Sequence, residues 1–210
     1  MTQKTIYIVG AGSVGGHIAS NKELYNLQSF EIAFVDDDPK KWNTIFCNYP
    51  VIGPINKLLE VEISTSVIIG IAFPRIKFEI IQSLRQNSNL IFPSLVSNRS
   101  WISSEVRIGE GVIIYPGVSI NYGSRIKDFV VINMNCSLGH HVEIGEYGSL
   151  SPGVNLGGHT VVGDLTLLGI GCCTLQGIII GRESIIGGQC MVTKNVDDNL
   201  TMVGVPARVI

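Results

Sequence analysis

From Val96 onward an aliphatic residue returns at every sixth position: Val96, Ile102, Ile108, Ile114, Ile120, Ile126, Ile132, Leu138, Ile144, Leu150, Leu156, Val162, Leu168, Ile180, Ile186 and Val192, with Thr174 the one exception among seventeen. Four residues behind it runs a second column, from Ser100 and Val106 through Cys136, Val142 and Gly148 to Cys190 and Val196, that holds only small or β-branched residues. Glycine often follows the first column directly, as at Gly109, Gly145, Gly157, Gly163, Gly169, Gly181 and Gly187. A six-residue period fits neither the ~3.6 of an α-helix nor the ~2 of an amphipathic strand. It fits a hexapeptide β-helix, in which short strands stack and bury a continuous core.

Ahead of the repeats the pattern is different. Residues 5–9, Thr-Ile-Tyr-Ile-Val, predict a buried strand that runs into Gly10-Ala11-Gly12-Ser13-Val14-Gly15-Gly16 and a helix reaching about Leu27. Further strands are expected over 31–35, 67–71 and 90–92, with a helix over 75–86. Strands alternating with helices argue for a parallel α/β sheet of Rossmann-like type. Glycines after the first strand let backbone N–H groups approach a phosphate at a helix N-terminus, and Asp36 stands where an acidic residue hydrogen-bonds a ribose hydroxyl. The match to G-x-G-x-x-G is complete. The sheet nevertheless spans only about ninety residues, roughly half a dinucleotide-binding domain. That leaves room for a mononucleotide and argues against a nicotinamide dehydrogenase.

A formal charge of −2 supplies no electrostatic footprint for nucleic acid or an anionic membrane. No apolar stretch approaches a membrane span, and the N-terminus lacks the form of a signal peptide, so a cytoplasmic protein is expected. The five cysteines are odd in number and show no metal-type spacing. Cys136, Cys172 and Cys190 fall in the second column and are read as core.

The repeats resemble the left-handed β-helix of the hexapeptide acyltransferases, and the whole chain is similar to one group of them, the sialic acid O-acetyltransferases and the N-acetyltransferases of nucleotide-linked 4-amino-sugars. Three motifs carry the likeness: Gly10-Ala11-Gly12-Ser13-Val14-Gly15, the acidic pair Asp36-Asp37, and Pro50-Val51-Ile52-Gly53. The resemblance implies three hexapeptides per coil, hence between five and six coils. It implies a sugar-nucleotide-binding domain over 1–92, an acyltransferase β-helix over 93–197 and a tail over 198–210. The glycine turn (Gly10, Gly12, Ser13) and Asp36 and Asp37 would hold the nucleotide. Val14 replaces a histidine usual in the family, and His17 follows three residues later.

The stretch from Asn133 to Glu146 carries the most specific signal. The family pattern is an asparagine, a histidine seven residues on, an acidic residue, then Ile-Gly-Asp/Glu; Asn133, His140, Ile144, Gly145 and Glu146 match it. By that resemblance His140 is the general base that takes a proton from the attacking group, and Asn133 positions the acceptor. Imidazole titrates near neutral pH and suits such work. His141 stands in place of the acidic partner, and Glu143 is a substitute for it. Gly158, Gly169, Ile170, Gly187 and Gly188 match the track along which acetyl-CoA lies. Eighteen residues beyond His141 comes His159, so one corner should gather three of the four histidines, with Gly158 leaving open space over His140. No metal is expected there, because adjacent His140 and His141 should not converge on one ion and the usual ligand spacing is absent.

The expected function is therefore acetyl transfer from acetyl-CoA to the amine of a nucleotide-linked amino-sugar. Transfer to a hydroxyl of sialic acid or a related sugar, and a non-catalytic sugar-nucleotide-binding or scaffold role, are the alternatives. A homotrimer is expected, since one face of a β-helix is shallow and three packed prisms make clefts. Met134, Tyr147 and Leu165 are candidates for its contacts.

Overall fold

The computed structural model describes residues 4–210, so the first three positions of the expected 1–92 domain lie outside the described residues. The chain forms two compact units: residues up to Ala72 with Ile76–Pro93, and Phe73–Arg75 with Ser94–Ile210.

In the first unit the strands are β1 (Thr5–Val9), β2 (Glu31–Val35), β3 (Ile45–Phe46), β4 (Tyr49–Pro50), β5 (Thr65–Ile69) and β6 (Leu90–Ile91), and the helices are α1 (Ser13–Ser20) and, from Ile76 on, α2 (Pro74–Leu84). Strands β2, β1, β5 and β6 lie in that order in one sheet, all parallel, while β3 and β4 form an antiparallel hairpin. Ile6, Ile8, Val9, Phe34, Val35, Val67 and Ile68 are buried, as parallel strands covered on both faces require. The expected helix to Leu27 stops at Ser20 because Asn21 turns its side-chain Nδ2 back onto the His17 carbonyl, at 2.8 Å; a short 3₁₀ turn, Lys22–Tyr25, follows. Strand β5 starts and ends two residues before its expected bounds. It leaves the sheet at Gly70, where a Cβ would lie 2.8 Å from the Val9 carbonyl and 3.0 Å from the Gly15 Cα.

The second unit is a β-solenoid of about six turns, consistent with a left-handed β-helix. Two-residue strands pair in parallel with those eighteen residues on, so Ile114 meets Ile132, Ile132 meets Leu150, and Leu150 meets Leu168. The first-column residue ends each strand and points inward. From Ile114 to Val192 every member is buried; only Val96, Ile102 and Ile108, in the opening coil, are half-exposed. Each fully buried aliphatic side chain contributes about 1.5–3 kcal/mol. Thr174 has its own reason: its hydroxyl lies 2.9 Å from that of Thr160 and accepts the Gly157 N–H at 3.0 Å. Second-column hydroxyls serve the corners in the same way, Ser124 donating to the Gly139 carbonyl and accepting from Val142 N–H. Among the described residues no buried side-chain N or O atom lacks a partner.

Every sixth residue from Gly111 to Gln189 turns its corner at positive φ, with Phe129, Asn135, His141, Tyr147, His159 and Leu165 among the non-glycine members. Glycines directly after the first column permit the coils to stack: a Cβ on Gly169 would come within 2.6 Å of the Gly188 nitrogen. Residues 201–203 and 208–209 add two strands to the eight-stranded face. Cys136, Cys172 and Cys190 are buried, and burial pushes the Cys136 and Cys172 thiols up to about 11 and about 12. Tyr147 is 5 % exposed and stacks on Phe129, which removes it from the candidate contact residues; Met134 is 39 % exposed. No helix among the described residues is long and apolar enough to cross a membrane.

Candidate active site

Three histidines and a tyrosine share one corner of the solenoid. Tyr122, His140 and Gly158 stand one above another at eighteen-residue steps, and beside them stand Gly123, His141, His159 and Gly177. His141 and His159 occupy the positive-φ turn, at 57° and 59°, so their rings stack with centroids 5.0 Å apart and planes 10° from parallel. The His140 ring stands nearly perpendicular to both. Its Nδ1 lies 3.1 Å from the Nδ1 of His141, and Tyr122 stacks against its face. One Nδ1 donates and the other accepts. With His140 donating, its Nε2 keeps a lone pair, and His141 fixes the tautomer.

Three sequence expectations change here. The space over Gly158 is not open, because a Cβ there would lie 2.8 Å from His140 Nε2; the imidazole itself fills it. Glu143 is turned toward Lys127, at 3.6 Å, and the contact to the His140 ring is made by His141. Finally, the adjacent rings of His140 and His141 do converge. A corner turn between the third and fourth places of a hexapeptide aims two successive side chains at one point, which neither helix nor strand does.

The remaining repeat residues occupy a different edge. Asn133 lies in the corner column of Gly169 and Gly187, and Met134 in that of Ile170 and Gly188, one six-residue face away from His140. Asn133 uses its Oδ1 to accept the Met134 N–H at 2.8 Å. Ile170 is 60 % exposed, and the nearest atom to a Cβ on Gly188 is the Ile170 carbonyl, at 3.3 Å. Gly158 alone of the five track residues belongs to the histidine corner.

In the N-terminal unit, Gly10 has φ 95° and α1 opens at Ser13, which is exposed. A Cβ on Gly12 would meet nothing within 4 Å, so the turn is open there, whereas one on Gly15 would collide with the Gly10 carbonyl. Asp36 Oδ2 accepts the Ala11 N–H and pairs with Lys41 Nζ, both at 2.8 Å. Burial alone would raise the pKa of this carboxyl; hydrogen bonds from Lys41 and the Asp38 and Ala11 N–H groups, with the Lys41 charge, hold it below the usual value. Asp37 accepts the Ile55 N–H at 2.9 Å. Sequence reading missed Lys41, for which the signal was its place five residues after Asp36, and Tyr122, legible as the residue eighteen before His140. His17 is half-buried: its Nε2 lies 2.9 Å from the Tyr25 hydroxyl, and burial pushes its pKa down.

No family model matches the chain. Among solved structures, PerB from Caulobacter crescentus, in complex with CoA and GDP-perosamine, superposes with a TM-score of 0.86 at 28 % identity, covering 98 % of this chain and 97 % of that one. A histidine-to-alanine variant of a GDP-perosamine N-acetyl transferase from the same organism, with the same two ligands, gives 0.87 at 27 % identity, covering 98 % and 96 %. The structural neighbours are hexapeptide-repeat sugar acetyltransferases. A third acetyltransferase, the domain of PglB from Neisseria gonorrhoeae in complex with acetyl coenzyme A, reaches 0.90 over 99 % and 100 % of the two chains; at 23 % identity it speaks for the fold alone.

Proposed function

We propose that this chain transfers the acetyl group of acetyl-CoA to the amine of a nucleotide-linked amino-sugar, with His140 as general base. The observation that carries the reading is the likeness, end to end, to an enzyme structure holding CoA and GDP-perosamine. The free amine attacks the thioester carbonyl carbon. His140 Nε2 takes the proton that the nitrogen loses, the C–S bond breaks, and the imidazolium returns its proton to the departing CoA thiolate. His141, accepting from His140 Nδ1–H, holds the ring in the tautomer this requires.

The N-terminal unit is read as a Rossmann-like domain that takes the nucleotide at Gly10, Gly12 and Ser13, with Asp36 and Asp37 beside them. The open turn at Gly12 supports this. So does Asp36, whose carboxylate is held at the turn by the Ala11 N–H and Lys41, where an acidic residue can accept from a ribose hydroxyl. Acetyl-CoA lies along Gly169, Ile170, Gly187 and Gly188. That edge and Asn133 stand a full face away from His140 on one prism. Since the reactants must be held within about 3–3.5 Å, a second chain supplies what one lacks, and the assembly is a homotrimer of left-handed prisms with sites shared between subunits. Its substrates place the reaction in the cytoplasm.

His140→Ala tests the reading. The variant should lose about 10²- to 10⁴-fold in kcat while still binding acetyl-CoA. More than half of the wild-type kcat remaining would remove His140 from its role.

A further inference from the structure

We propose that His140, His141 and His159 form a transition-metal site, suited to zinc, whose occupation shuts off acetyl transfer. The site follows from geometry alone; the consequence for transfer rests on His140 being the base. One ring nitrogen from each of the three lies within 4.8 Å of the others. A tetrahedral zinc with Zn–N bonds of about 2.0–2.1 Å sets its ligand nitrogens roughly 3.3–3.4 Å apart. The two Nδ1 atoms, at 3.1 Å, already stand near that spacing. His159, exposed and one coil above, closes the remaining gap of roughly 1.4 Å by rotating about its side-chain bonds. Its ring already stacks on that of His141, and the perpendicular His140 ring completes the cluster.

The corner is cleared for these rings. Gly123 and Gly177 flank the His141–His159 column, and Gly158 lies against His140; a Cβ on Gly123 or Gly158 would stand 2.8 Å from an imidazole atom. Three neutral imidazoles suit zinc, copper or nickel, and the exposed side of the corner leaves the fourth position to water. The effect on transfer follows from the tautomer. A neutral imidazole bound to metal through Nδ1 carries its one proton on Nε2. The lone pair that would accept the substrate proton is then occupied, and transfer stops without any change in fold.

Cobalt(II) and zinc are the probes. Metal-free protein is titrated with cobalt(II), following the intense visible absorption of a four-coordinate ion, and with zinc by calorimetry; transfer is followed by the acetylated sugar rather than the thiol, which itself binds zinc. The wild type should bind one ion per chain and lose transfer at equimolar zinc, with recovery on adding chelator. His159→Ala should bind at least on the order of 100-fold more weakly, the upper range for loss of even an outer-shell partner, and, measured against its own metal-free rate, its transfer should persist in equimolar zinc. Equal affinities in the two proteins, or a cobalt–thiolate charge-transfer band from Cys47 or Cys173, would overturn the site. Tight His159-dependent binding with undiminished transfer would instead overturn the switch and remove His140 as base. Absence of binding, with His140→Ala still inactive, would sink the metal site and leave the base in place.

Discussion

Gly158→Ala is the sharpest local test of the histidine corner. A Cβ at Gly158 would lie 2.8 Å from His140 Nε2, 2.9 Å from Cε1 and 3.1 Å from Cδ2. Ordinary contact between such atoms begins at about 3.5 Å, so the ring must retreat by roughly 0.7 Å. Reacting atoms held within about 3–3.5 Å lose on the order of 100-fold in rate when misplaced by about 1 Å. A drop in kcat of about 10- to 100-fold is therefore expected, with little change in KM for acetyl-CoA. The backbone at Gly158 is not left-handed and the ring has solvent to move into, so Tm should hold. Gly169→Ala is the control with opposite signature: its Cβ would meet the Gly188 nitrogen at 2.6 Å, a backbone atom that cannot swing aside, and Tm should fall. Initial rates of acetylated product beside thermal melts separate the two. A Gly158→Ala protein with wild-type kcat and Tm would show that the seating of the His140 ring has no bearing on catalysis.

Asp36→Ala should weaken nucleotide-sugar binding and leave acetyl-CoA affinity unchanged, because it removes, from the N-terminal unit alone, the carboxylate that would accept a ribose hydroxyl and that ties Lys41 to the glycine turn; calorimetry showing equal losses for both ligands would contradict this. Burial holds the folded His17 pKa below its ordinary value of about 6.5, so below that pH the unfolded chain binds more protons than the folded one. Stability should then rise with pH across the window beneath about 6.5 and decline as pH falls through the lowered pKa; a His17→Gln protein with the same slope would rule out this source. Light scattering should return about three times the 22.7 kDa chain mass, and a fully active monomer would refute the shared site.

The solenoid was legible because its core is one-dimensional. A residue buried in one coil is stacked on its equivalents eighteen residues away, so the requirement repeats and can be read without knowing any long-range contact. Thr174 broke the column for a reason visible only in three dimensions, a hydroxyl pair with Thr160. The α/β strands were legible from their apolar runs, β1 and β2 to the residue, but the bounds of β5 and the end of α1 were not. Asn21 stops α1 through a side-chain hydrogen bond, and Gly70 ends β5 by close approach to Val9 and Gly15. At the site, the repeat arithmetic placed His159 over His141, yet side-chain direction at a corner is set by the positive-φ turn. That is why the convergence of His140 on His141, and the turning of Glu143 toward Lys127, escaped the sequence.

In the proposed reaction an amine on a nucleotide-linked sugar takes the acetyl group. Purified protein incubated with acetyl-CoA and a panel of GDP-, UDP- and dTDP-linked amino-sugars, each beside its hydroxyl counterpart, tests it directly by mass and NMR of the product. One added acetyl group, on nitrogen, is expected for at least one amino-sugar and none for the hydroxyl counterparts, with His140→Ala inactive. Acetylation on oxygen, or consumption of acetyl-CoA with no acetylated amine in any member of the panel, would contradict it.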